Sequence, residues 1–192
     1  MKRIVILPLC LLLLCGGCGK KSNAAENIQE QYSRVATAQM EAEVTFHTVQ
    51  ENRSFTLQCA FTPESSTVTV TAPETVKGIT VTVSGEELTI AYDGAVLSAG
   101  GAGTPGPVNA LPCLLRALGS GYLLEEGRET LDDADCYRLT LDVGTAAAPL
   151  TCTAWLDAES LLPRYAEFAA DGAVVVSAKL LAFSCTLNES EN

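Results

Sequence analysis

Apolar and polar residues alternate along most of this chain. Met40, Ala42, Val44 and Phe46 interleave with Glu41, Glu43, Thr45 and His47, the period of two expected of a strand with one buried face. The pattern repeats at Phe55, Leu57, Cys59 and Phe61, at Val68 and Val70, at Ile79, Val81 and Val83, and at Leu88, Ile90 and Tyr92. Pro63, Pro73, Lys77-Gly78, Gly85 and Asp93-Gly94 supply turns between these runs, because each sets or permits the backbone angles a turn requires. Runs this close in sequence predict an antiparallel meander. Alternation resumes at Tyr137, Leu139, Leu141 and Val143 and again over 150–157. Residues 164–169 and 173–184 flank Asp171-Gly172, a hairpin signal.

Two stretches change period. Asn23, with Glu26 three residues on, marks a helix start. Ile28, Tyr32, Val35 and Ala36 then recur at helical spacing, and the strand period takes over near Ala38. Residues 99–107 (AGGAGTPGP) are too rich in Gly and Pro for regular structure and predict a break in the sheet. Leu111, Leu114, Leu115 and Leu118 follow at i, i+3, i+4 and i+7, with Pro112 in the first turn and Gly119 past the end. Arg116 is this helix's only charge, so it should pack deep against the sheet. The expected fold is mainly β with α: a curved antiparallel sheet, an incomplete β-barrel, with helices covering its concave face.

The first eighteen residues follow another logic. Lys2 and Arg3 precede an apolar run over 4–14, and Gly16-Gly17 precede Cys18. A run this short with basic residues before it reads as a secretory signal. Small residues before a cysteine resemble the bacterial lipobox, although Cys15 stands where Leu is usual. The expected organisation is a signal peptide at 1–17, a lipidated tether at 18–25 starting at acylated Cys18, a domain at 26–187 and a polar tail at 188–192. An uncleaved N-terminal anchor is the alternative. Either places the domain on the extracytoplasmic face of the bacterial cell membrane. Two acyl chains, such as palmitate, suffice for stable attachment.

Charge excludes other partners. The chain carries 12 Lys and Arg against 23 Asp and Glu, a net charge of −11. Lys2 and Arg3 are the only charges in residues 1–17, so loss of the leader moves the net to −13. Such a surface repels nucleic acid and anionic lipid, and the anchor must supply any membrane affinity. Five cysteines follow Cys18: Cys59, Cys113, Cys136, Cys152 and Cys185. An odd number cannot all pair; buried thiols with at most one or two bridges are expected, and the pairing stays open.

Candidate chemistry is sparse. His47 is the one histidine, so a Ser-His-Asp or Cys-His site would have to use it; an exposed histidine on a sheet face is the expectation. Asp132, Asp133 and Asp135 lack the spacing of a calcium loop and read as a solvated turn. Gly119-Ser120-Gly121 follows a helix, unlike a hydrolase elbow. Trp155 is expected to pack against a helix. No catalytic residue, metal ligand or cofactor is assigned, and the residues that would bind a ligand are not legible.

The run over 153–163 (TAWLDAESLLP), then Asp171-Gly172 and a final strand ending near Phe183, resembles the lipoprotein-carrier, LolA-like and LppX-like, superfamily. Members often show a strand ending in Asp, a turn ending in Leu-Pro and then a hairpin. Leu162-Pro163 matches, whereas Leu161 stands where Gly is usual. The resemblance implies a strongly curved, incomplete barrel with helices in its mouth. It also implies carriage of lipids or lipidated proteins, or, as in germination-type lipoproteins of spore-forming bacteria, regulation of a partner. The function expected is a non-enzymatic membrane-anchored lipoprotein binding a lipid or other apolar or acylated ligand in the concave sheet. The alternative is an interaction module that stabilises or regulates a secreted cell-wall or spore enzyme.

Overall fold

A computed structural model describes residues 24–85, 87–101, 105–145 and 148–188. The expected signal peptide, Cys18, the cap at Asn23 and most of the tether and tail lie outside these residues. The elements run α1 (Ala24–Ser33), β1 (Val35–His47), β2 (Asn52–Phe61), β3 (Ser65–Ala72), β4 (Thr80–Ser84), β5 (Glu87–Tyr92) and β6 (Ala95–Gly101). Then follow α2 (Ala110–Ser120), β7 (Tyr122–Leu131), β8 (Ala134–Asp142), β9 (Leu150–Asp157), β10 (Pro163–Ala170) and β11 (Ala173–Leu187).

Among the described residues all eleven strands form one antiparallel sheet in the order β6-β5-β4-β3-β2-β1-β11-β10-β9-β8-β7. The fold is the expected one, mainly β, curved and with two helices, but the sheet is open and β6 and β7 are its edges. The first and last strands meet in the middle, and α2 carries the chain from one edge to the other.

The alternating apolar positions line up as rungs across the sheet. Met40 faces Cys59, Cys59 faces Val68, Val68 faces Val81, Val81 faces Ile90, and Ile90 faces Leu97. A second rung joins Leu139, Ala154, Ala166, Ala178 and Val44. Its three alanines are all fully buried, and small side chains there leave room for α2, which packs on β1, β9 and β11. From α2, Leu111, Leu114 and Leu118 are 0 % exposed, and from α1 so is Ile28. The helices thus fill the concave face with their own side chains.

Several boundaries differ from expectation. α1 ends at Ser33, and Val35, expected on the helical stripe, opens β1. Gly119 lies inside α2, and Gly121 closes it. A Cβ at Gly119 would come within 3.1 Å of the Tyr32 carbonyl oxygen, so this glycine lets α1 cross α2 closely. The sheet does not break at Ala99: β6 runs to Gly101. β7 and β6 are strands that the periodicity misses. Tyr92, expected to be inward, is half exposed. Among the described residues no helix is long and apolar enough to cross a membrane.

Candidate functional site

A concavity lies where β10 parts from β11. β11 has 15 residues and β10 has 8. Their pairing ends at Tyr165 with Lys179. Pro163, which has no N–H to donate, and an irregularity between Pro163 and Tyr165 turn β10 aside. β11 continues, paired to β1 alone.

The gap opens a cleft of about 640 Å³. Its apolar walls are Leu131 at the end of β7, Leu162 before β10, Pro163 at its start, and Leu180, Leu181 and Phe183 of β11. Phe183 also meets the Tyr32 ring of α1, with ring centres 6.2 Å apart. Arg164 and Lys179 also line the cleft. Each cation is held by a carboxylate, Arg164 by Asp157 at 3.5 Å and Lys179 by Asp132 at 3.2 Å.

One wall is a clamped turn. The Asp157 carboxylate accepts hydrogen bonds from the Ser160 N–H and hydroxyl, both at 2.9 Å, and from the Glu159 N–H at 3.2 Å. These donors, with Arg164 adding to them, hold its pKa below the usual carboxylate range. Leu161 takes φ +58°, a left-handed conformation that suits glycine. The Tyr32 hydroxyl donates to the Leu161 carbonyl at 2.9 Å, tying α1 to the turn. Burial pushes the Tyr32 phenol well up.

The residues singled out by sequence do not converge on this cleft. Cys18 lies outside the described residues. The five later cysteines are free thiols, with Cys59, Cys136 and Cys152 buried. Burial pushes Cys59 up to about 12 and Cys113 up to about 11, and raises Cys152 as well, which disarms them as nucleophiles. His47 is not merely an exposed imidazole: its Nε2 lies 2.9 Å from the Ser177 Oγ. Ser177 is only 6 % exposed, which shields its hydroxyl from a substrate. Asp132 and Asp133 have positive φ in the β7–β8 turn, and Asp132 and Asp135 pair with Lys179 and Arg128. Trp155 does not pack against a helix. It faces outward on β9, donates to Glu129 at 3.1 Å and meets the Tyr165 ring at a tilt of 51° with ring centres 5.5 Å apart. Sequence offered one pointer to the cleft, the Leu162-Pro163 pair; the divergence of two strands leaves no local signature.

No family model matches the chain, and no curated protein matches it in sequence. Solved structures do resemble it. A conserved protein of uncharacterised function from Thermus thermophilus shares 12 % identity at a TM-score of 0.53, over 86 % of this chain and 90 % of that one. A LolA superfamily protein from Nitrosomonas europaea gives 14 % and 0.45 over 87 % and 94 %. The lipoprotein LppX of Mycobacterium tuberculosis gives 13 % and 0.43 over 88 % and 96 %. The likeness is one of fold.

Proposed function

We propose that this protein is a non-enzymatic lipoprotein of the extracytoplasmic face of the bacterial cell membrane, anchored through acylated Cys18. In this reading residues 26–187 form a domain that binds a lipid or other apolar or acylated ligand. The cleft between β10 and β11 carries the proposal. At about 640 Å³ it falls within the range of small-molecule sites, which combine apolar walls with a few polar groups. The helices occupy the concave face, so the ligand is assigned to the cleft and not to the centre of the sheet. An acyl chain would lie against Leu162, Leu181 and Phe183. An anionic head would draw Arg164 or Lys179 away from its carboxylate.

Native mass spectrometry of the unacylated domain, with competition by a fluorescent fatty acid and by phospholipid, tests this. Leu181 is 55 % exposed, so Leu181→Arg should fold normally and bind at least about tenfold more weakly, the cost of losing one apolar wall. Unchanged binding by that variant, or no lipid binding by the wild type, overturns the reading.

The filled concave face favours one second reading, an interaction module that stabilises or regulates a secreted cell-wall or spore enzyme. Crosslinking in cells should then return one dominant protein; a spread of abundant bystanders would count against it.

A further inference from the structure

The two edges of the sheet are built differently. β7 carries Glu125, Glu126, Arg128 and Glu129, charges of the kind that natural sheets use to discourage strand addition. β6 (AVLSAGG) carries no charge and no proline. Ala95 to Ala99 are all exposed, Val96 at 67 % and Leu97 at 66 %. Among the described residues β6 is paired only with β5. The buried rung through Val68 and Val81, both 0 % exposed, runs outward through Ile90 and ends at Leu97. Among the described residues the core face therefore continues to the edge and stops there uncovered.

We propose that β6 is a self-association site, where two copies of this chain pair β6 to β6 antiparallel about a twofold axis. Two observations choose a second copy as the occupant. The chain carries a net charge of −11, so copies repel wherever their surfaces are acidic, and a seven-residue uncharged strand is where they approach at least cost. The strand is also complementary to its own reverse. A twofold axis at Leu97 sets Ala95 opposite Ala99 of the second copy, Val96 opposite Ser98, and Leu97 opposite itself. Leu97 shares the inward face with Ile90, so the apolar rung passes without interruption into the second subunit. Such isologous pairing closes at two copies and satisfies the free N–H and C=O groups of both edges.

Sedimentation of the unacylated domain over about 5 to 500 µM tests this, since one strand pair makes an interface below standard size. A monomer–dimer equilibrium is expected. Leu97→Glu should shift it to monomer by at least about tenfold, because like charges would face each other across the axis. The position is exposed, and circular dichroism should show the variant folded. Val174→Lys, an exposed apolar position away from β6, should leave the dimer intact. Leu97→Cys should form an intermolecular disulfide through the introduced thiols on oxidation, as directly opposed antiparallel residues lie within disulfide reach. Monomer at every concentration, open-ended assembly, or a dimer that survives Leu97→Glu overturns the proposal.

Discussion

At the scale of single residues, two groups report how tightly the interior is made. Tyr32 is 4 % exposed and spends its hydroxyl on the Leu161 carbonyl. Tyr32→Phe keeps the ring contact with Phe183 and deletes that bond, so urea unfolding should show a loss of about 1 kcal/mol. The thiols give a pH dependence with a definite sign. Cys59 and Cys113 titrate from the usual 9.0 upward to about 12 and about 11 because burial disfavours the thiolate. The unfolded chain therefore releases these protons first, and the stability they permit is full below pH 9 and falls as pH rises towards 11 and 12. Between pH 9 and 11 each of these two thiols should contribute a downward slope approaching about 1.4 kcal/mol per pH unit. Urea midpoints across that range check the sign, and Cys113→Ala should reduce the slope by one thiol's share.

At the scale of elements, the junction between α2 and β7 is closely packed. Gly121 caps α2 with φ −66°, so its backbone is ordinary and space alone demands glycine. A Cβ there would lie 2.6 Å from the Ala117 carbonyl oxygen and 3.0 Å from the Leu141 Cβ. Gly121→Ala should cost about 1–3 kcal/mol in urea unfolding, the range for overpacking. The same scale explains what the sequence showed. The central strands were legible because one face of each is buried in the core, which forces alternation on residues such as Val81 and Leu139. The edges were not. Tyr122, Leu124, Glu125 and Glu129 of β7 and Val96 and Leu97 of β6 are exposed on both sides of the sheet, so nothing imposes a period of two. α1 ended early for a related reason: Val35 fits the helical stripe as well as it fits a strand, and only pairing with Leu187 decides it. The cleft was hidden because it is made by where β10 leaves β11, a matter of two strands' relative length.

At the scale of the whole molecule, the proposed anchor and the domain constrain each other. Six residues from Cys18 reach Ala24, where α1 begins; fully extended they span roughly 20 Å. A domain of about 165 residues has a radius of gyration near 15 Å. With the proposed anchor in place, the tether is thus no longer than the domain is wide, and the cleft would stay within a domain's breadth of the bilayer. Tyr32 shortens the connection further, since it joins α1 directly to the Leu161 turn that forms one cleft wall. This geometry suits a protein that meets its ligand at the membrane surface, and it separates anchoring from folding. α1 begins beyond Cys18, and its buried residues are Ala25, Ile28 and Tyr32. Cys18→Ala should therefore move the protein from the membrane fraction to the soluble extracytoplasmic fraction. Its melting temperature should match that of the unacylated domain, because the core contacts of the described residues begin with Ala25 of α1. Cell fractionation with thermal melts of the purified proteins checks both halves. Persistence of the Cys18→Ala protein in the membrane would show that something other than acylation holds it there.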